Sequence, residues 1–425
     1  MVKKPEGDVV RIGEEDSSEN DDDSSAIKVE GGLAIFNDES TFEEWIGAKI
    51  RELPAYAYYP QLLESCILIV LRWRSRFSTA AKKMWSRIIS KNRLVKELNE
   101  IVPVIHECLS VADKVILAPG QTMSVVDLCS GYGFLSMFLS ELLPKEKFSR
   151  IVLIDKMFPR FDQRFPPSPQ QINWEHIWLD SWPIRLQASR QDLKQGCDRR
   201  HLGKRFLSDT GGPVLLLGVH LCGILSLRAL DLFNTYGQVV LLCLKPCCLP
   251  PMVHVKKKET FVVGGYSFPA EDVCSPGKWK GNNWTGPARN SKELALKFSR
   301  WANHLLNSAQ VDSIGTKRNS NIVIQEKHFQ NAYIFASRSY EDRIRCSFTS
   351  GSVGVIQKND QPRSEPVAQT AAASQRQGRE EEQKQEQAHR SEIKQTAVTH
   401  TLWFTIAFGI GIVVAAAVIR SKTLN

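Results

Sequence analysis

An α/β fold built on a mostly parallel sheet is what this sequence predicts, and three observations predict it. Short β-branched and Leu-rich runs alternate with helical stretches between residues 125 and 307. One run leads through a glycine-bearing turn into an amphipathic helix, and two of the runs carry an aspartate at their ends. Two more runs near residues 321–337 add a final antiparallel pair, for seven strands in all. Length and composition leave room for such a core: 425 residues, 42% hydrophobic and 24% charged, sit near globular averages. They exclude small disulfide-stapled, fibrous and multi-span membrane classes.

Residues 1–38 read as a disordered leader: positions 1–30 hold ten acids against four bases and little apolar area to offset the entropy of ordering. Residues 39–118 read as a helical, basic extension, with Phe42, Trp45, Ile46, Ile50, Leu62, Leu63 and Ile67 at helical spacing. The bases from Arg72 to Lys96 form either a face for phosphates or a solvated helix surface. Residues 119–347 form the α/β domain. Its strands are expected at Val125–Cys129, Ile151–Ile154, Ile177–Leu179, Val214–Val219 and Val239–Leu244, then at Asn321–Gln325 and Tyr333–Ser337. Helices are expected at Phe134–Leu143, Ile224–Asn234 and Ser291–Asn307, with a Gly-, Pro- and Trp-rich insertion near 256–287.

Residues 348–400 have the polar composition of a linker. Leu402–Ile419 then supplies an uncharged run that, at about 1.5 Å per residue, spans roughly 27 Å, the thickness of a bilayer core. With Trp403 near its start and Arg420 and Lys422 after it, this predicts a transmembrane tail anchor. The domain would face the cytosol from an outer organelle membrane or the endoplasmic reticulum. Ten scattered cysteines without repeated CxxC spacing agree with a reduced compartment, and the first residues lack a secretory signal. The net charge of +9, with an acidic leader, makes the remainder more basic still and favours a polyanionic partner such as RNA. The oligomeric state is not legible.

The stretch Asp127-Leu128-Cys129-Ser130-Gly131-Tyr132-Gly133 carries the chemistry. Glycines there let the backbone approach a ligand, and Asp155, at the end of the next strand, suits two ribose hydroxyls. A dinucleotide fingerprint would want a third glycine where Ser136 stands; the acid-x-Gly-x-Gly-x-Gly pattern of S-adenosylmethionine enzymes is met except for Cys129 in the first glycine slot.

The runs DLCSGYGFLSMFLSELLP, IVLIDK, GVHLCG and LKPCCLP, in that order, resemble a class I methyltransferase (Rossmann-like), of the group containing the tRNA 2′-O-methyltransferases with HLCG and Cys-Cys motifs. The likeness covers about Val125–Pro250 and lacks the N-terminal zinc-knuckle cysteines of those enzymes. The resemblance implies S-adenosylmethionine as cofactor. It places Asp127, Cys129, Gly131 and Gly133 around the methionine and adenosine, Asp155 on the ribose, and Asp192, with Asp180 as a rival, on the adenine amine. His220 is the candidate to orient or deprotonate a substrate hydroxyl, and Lys245 and Cys247 wall the same pocket as candidate catalytic residues. Histidine and thiols serving only local packing is the competing account. A 5-methylcytosine-type thiolate lacks its Asp-x-Pro-Cys context at Cys222. A zinc site from His220, Cys222, Cys247 and Cys248 is a minor alternative, because adjacent cysteines are poor chelate spacing, and no metal is expected. Two other classes stay open: a non-catalytic scaffold of the same fold at a membrane, and an enzyme acting on a protein or small molecule.

Overall fold

The computed structural model describes residues 8–11, 28–30, 33–36 and most of 39–339, leaving out 80–81, 90–92, 160–181, 209, 281–282, 286–290 and 325–328 within that last stretch. In the leader, β1 (Asp8–Arg11), β2 (Lys28–Glu30) and β3 (Leu33–Phe36) pair antiparallel in the order β1-β3-β2. Those segments correct the expectation of a leader without structure. They hold most of its β-branched and apolar residues, Val9, Val10, Val29, Leu33 and Ile35.

Helices α1 (Glu39–Arg51), α2 (Pro60–Phe77), α3 (Lys82–Ile89) and α4 (Arg93–Lys114) follow. In α4, Leu94, Leu98, Ile101, Ile105 and Cys108 recur every three or four residues and are buried, so one stripe of the helix faces the core. Then come β4 (Met123–Leu128), α5 (Phe134–Leu142), β5 (Phe148–Ile154), β6 (Leu186–Ser189), α6 (Gly196–Leu202), β7 (Val214–Cys222), α7 (Leu225–Thr235) and β8 (Val239–Cys248). The chain continues through the short α8 (Val253–Lys256), the hairpins β9 (Thr260–Val263) with β10 (Tyr266–Pro269) and β11 (Lys278–Lys280) with β12 (Asn283–Thr285), then α9 (Lys292–Ser308), β13 (Thr316–Asn321) and β14 (Ala332–Ser337).

The seven-stranded sheet runs β13-β14-β8-β7-β4-β5-β6, with β14 antiparallel to both neighbours and the five strands from β8 to β6 mutually parallel. Every residue of β4 is buried, the mark of a strand covered on both faces. Alternation then sorts the side chains. Met123 and Val125 enter the apolar layer shared with α2, α4 and α5, while Val126 and Leu128 enter the layer shared with α7 and α9. Each fully buried Leu, Val or Phe contributes about 1.5–3 kcal/mol, and both layers are continuous under the sheet. Because β4 is flanked by β5 on one side and β7 on the other, the chain direction reverses there, and the crevice lies beyond the carboxyl ends of those strands.

Two expected strands need correction. The third parallel position belongs to Leu186–Ser189, paired with β5; the expected Ile177–Leu179 lies outside the described residues. The partner of the last strand is Thr316–Asn321, not Asn321–Gln325. As an edge strand with exposed residues it reads as polar, so the apolar Ile322-Val323-Ile324 drew attention away from it. The insertion starts as a hairpin whose Gly264 and Gly265 have φ of 58° and 78°, the geometry a two-residue turn needs. The linker at 348–400 and the anchor at Leu402–Ile419 lie outside the described residues. Among the described residues no helix is long and apolar enough to cross a membrane.

Candidate functional site

The turn after β4 sets the first wall of the crevice. Gly131 (φ 55°) and Gly133 (φ 82°) take left-handed backbone, and a Cβ on Gly131 would meet nothing within 4 Å, so the bend is bare. Cys129, in the slot where the motif wants glycine, also has positive φ, at 54°. A non-glycine residue there carries about 1–2 kcal/mol of strain, held by the surrounding sheet. Asp155 closes the turn from the neighbouring strand: its carboxylate accepts Gly131 N–H at 3.2 Å and Met157 N–H at 2.8 Å.

Asp192 lies in the loop after β6, and its carboxylate accepts Lys194 N–H at 2.9 Å. Asp180 lies outside the described residues. The thiol of Cys129 is pushed up to about 12 by burial first, then by the charges of Asp155, Asp127, Cys222 and Asp192.

Asp127 needs correction. It is 2% exposed and accepts Ser136 Oγ–H at 2.8 Å, so it braces the turn against α5 from beneath instead of lining the crevice. Burial raises its carboxyl to about 7, against the Ser136 hydrogen bond and with help from Asp155. Ser136, the residue that spoils a dinucleotide fingerprint, thus has a structural task.

The second wall joins β7, β8 and α4. Beyond Val219 the β7 register slips twice against β8, and His220 sits at φ 62°, an irregularity that turns its ring toward α4. His220 Nε2 lies 3.0 Å from Glu100 Oε2 and 3.8 Å from Glu97 Oε2. Lys245 Nζ donates to the same Glu100 oxygen at 2.7 Å, and Tyr333 O–H donates to the Glu100 carbonyl at 2.9 Å. Burial opposes ionisation of Glu100, but the hydrogen bond from His220 and the charge of Lys245 win and hold it at about 2. Burial raises Glu97, with His220 pulling it back and Glu100 adding to the rise. Lys245, expected as a catalytic candidate, is 1% exposed and reaches His220 only through the shared Glu100 carboxylate, the place of a positioning residue.

At the mouth, Arg93 stacks over the ring of Tyr132 at 4.4 Å, tying the start of α4 to the glycine turn. Glu97 and Glu100 escaped the sequence reading, which had Arg93 only among the bases of the helical extension and Tyr132 only within the turn. The available signal was Glu100 inside the apolar run Leu98–Ile105, an acid where the helical stripe calls for core.

Cys247, the remaining catalytic candidate, lies among thiols. Its Sγ is 3.1 Å from Cys222 Sγ and 3.6 Å from Cys248 Sγ, and hydrogen bonding with both neighbours, with burial, pushes its thiol up. Some of the bases expected as a phosphate face have partners within the fold: Arg72 and Arg76 pair with Glu141 of α5, and the buried Arg74 stacks on Phe42.

The donor set fits a nucleoside sulfonium. Around Asp155, the buried Ser130 Oγ and Gln191 Oε1 lack a hydrogen-bond partner, and ribose hydroxyls and an adenine amine are groups that would complete such atoms. A family whose description is "Methyltransferase domain" matches residues 91–254, which take in the turn, both crevice aspartates and the Glu100–His220–Lys245 cluster. No curated protein matches the chain.

Among solved structures, the CurJ carbon methyltransferase is 11% identical, with 73% of this chain and 75% of its own covered and a TM-score of 0.33. The amino pentose methyltransferase CalS10 of Micromonospora echinaspora, with S-adenosylmethionine bound, is 12% identical over 55% and 91%, with a TM-score of 0.25. An O-methyltransferase family protein of Burkholderia thailandensis is 13% identical over 74% and 80%, with a TM-score of 0.26. Scores that low carry no argument about activity. The family match over residues 91–254 and the strand order support a methyltransferase domain in that stretch, with S-adenosylmethionine as its cofactor.

Proposed function

We propose that this protein transfers a methyl group from S-adenosylmethionine to a hydroxyl, with an RNA 2′-hydroxyl, and tRNA among RNAs, as the acceptor to test first. S-adenosylmethionine supplies a methyl on a sulfonium, already a good leaving group, so what the protein must add is position. A base is needed only when the acceptor has to lose a proton. The observation that carries the reading is therefore the Glu100–His220 contact at 3.0 Å, with His220 partly exposed and Glu100 buried behind it. Glu100 orients the ring, and His220 takes the hydroxyl proton at its other nitrogen. The RNA part is supported by the HLCG and Cys-Cys resemblance and by Arg93 and the exposed Lys96 near the mouth. The proposed membrane tether is supported by the uncharged run Leu402–Ile419.

Incubating the full chain with methyl-labelled S-adenosylmethionine and total cellular RNA, then digesting to nucleosides, tests the reading. A labelled 2′-O-methylnucleoside is expected. His220→Gln should lower kcat/KM by roughly 10²–10⁴ while leaving cofactor affinity within about twofold, and Asp155→Ala should abolish cofactor binding. Label on a base, a protein or a metabolite would refute the acceptor, and cofactor binding unaffected by Asp155→Ala would favour a scaffold. Deleting 402–419 should release a tagged chain from membranes; unchanged fractionation would rule out the anchor.

A further inference from the structure

The ends of β7 and β8 bring together three thiols that the proposed reaction does not use. Cys222 and Cys248 are opposed across the strands, Cys247 Sγ lies 3.1 Å from Cys222 Sγ and 3.6 Å from Cys248 Sγ, and all three sulfurs lie within 4.8 Å of one another. Adjacent cysteines are a poor chelate along the chain, but here the third sulfur comes from the neighbouring strand. The bulged end of β7 puts it there: the register slips between Leu221 and Cys222, and Gly223 (φ 55°) donates its N–H to the Cys248 carbonyl at 3.1 Å. The other side is fixed as well. Gln330 Nε2 donates to the Cys247 carbonyl at 2.6 Å, and Ser275 N–H donates to the Pro250 carbonyl at 2.8 Å, pinning the segment after Cys248 to the insertion.

We propose that Cys222, Cys247 and Cys248 form a zinc-type metal site with three thiolate ligands and a fourth position open at the crevice. A tetrahedral centre with metal–sulfur bonds of about 2.3 Å sets its sulfurs roughly 3.8 Å apart. The Cys247 spacings of 3.1 Å to Cys222 and 3.6 Å to Cys248 fall short of that value by less than an ångström, and the third pair lies within 4.8 Å, so small side-chain shifts complete the geometry. Sulfur donors select Zn²⁺ or Cu⁺ over Mg²⁺ and Ca²⁺. On binding, each S–H bond gives its proton to solvent as a sulfur–metal bond forms, so three protons leave per metal. Exposure of Cys222 and Cys248 leaves the fourth position to water or to a donor atom of the acceptor.

The test uses the full chain purified with reductant. Metal analysis should find about one zinc per chain, lost in Cys222→Ser, Cys247→Ser and Cys248→Ser and kept in Cys197→Ser, an exposed thiol on α6. In case a serine variant fails to fold, the wild-type chain, stripped and titrated with Co²⁺, should develop a thiolate charge-transfer band and intense tetrahedral d–d bands, with proton release. A chain that takes up neither metal, zinc retained in all three variants, or a Cys222–Cys247 disulfide whose reduction restores no uptake would each overturn the site. Neither readout needs methyl transfer, so such a failure leaves the hydroxyl-methylating reading to its own test.

Discussion

Replacing Glu100 with glutamine should cost far more stability than the loss of one hydrogen bond. Glu100 is 2% exposed and holds Lys245, 1% exposed, at 2.7 Å. The amide keeps the shape and removes the charge, leaving an ammonium buried without its counterion, which typically costs about 3–5 kcal/mol. A second route gives a similar figure: a carboxyl held at about 2 instead of 4.5 corresponds to about 3 kcal/mol of folded-state stabilisation. For a domain of this size that lowers Tm by roughly 6–15 °C, read from the fluorescence of the buried Trp73, Trp85 and Trp301. Because the folded pKa is depressed, the contribution is present above about pH 4.5 and disappears as pH falls toward 2. The gap between wild type and Glu100→Gln should therefore close in acid. Glu100→Met with Lys245→Met should recover most of the loss, since a well-packed apolar pair often replaces a buried ion pair at little cost. A single variant within about 1 kcal/mol of wild type at neutral pH, or a double variant no better than the single, would refute the reasoning.

Asp127→Asn should act in the opposite sense. A carboxyl raised to about 7 stabilises the fold below about pH 3.8, and that contribution is lost as pH rises to 7, so at pH 8 the amide should be the more stable by about 2 kcal/mol or more in urea titrations. Gly131→Ala places a Cβ in open space at φ 55°; it should cost only about 1 kcal/mol of stability yet weaken S-adenosylmethionine binding at least roughly tenfold by calorimetry. Glu141→Ala strands Trp73 Nε1–H, Arg72 and Arg76 where α2 meets α5 and should lower stability by about 1–3 kcal/mol, with cofactor affinity unchanged.

The half of the site that was legible is the half written in local sequence. Gly131 and Gly133 stand in the turn because only a bare backbone makes that bend cheaply, and Asp155 follows one crossover later because adjacent parallel strands end side by side. Such features leave a trace at fixed spacing. The sheet's centre was legible for a related reason: strands buried on both faces are short uninterrupted apolar runs, whereas the exposed edge strand Thr316–Asn321 has no apolar pattern to read.

The other half is written in contacts between distant residues. Lys245 and Glu100 are 145 positions apart. Taken alone, one is a cation in a strand and the other an acid in an apolar helix stripe, and each looks like an error of pattern. Topology turns the two anomalies into one explanation, because α4 packs across the ends of β7 and β8, and a buried charge can persist only where an opposite one meets it. The thiols follow the same logic. Read along the chain, Cys247 and Cys248 are too close together to chelate; read across the sheet, Cys222 arrives opposite Cys248 and supplies the missing corner. Residues that break the local pattern in a chain that otherwise keeps it are thus the ones to pair with each other first, since burial forces them to find partners and the crevice is where the strand ends let them meet.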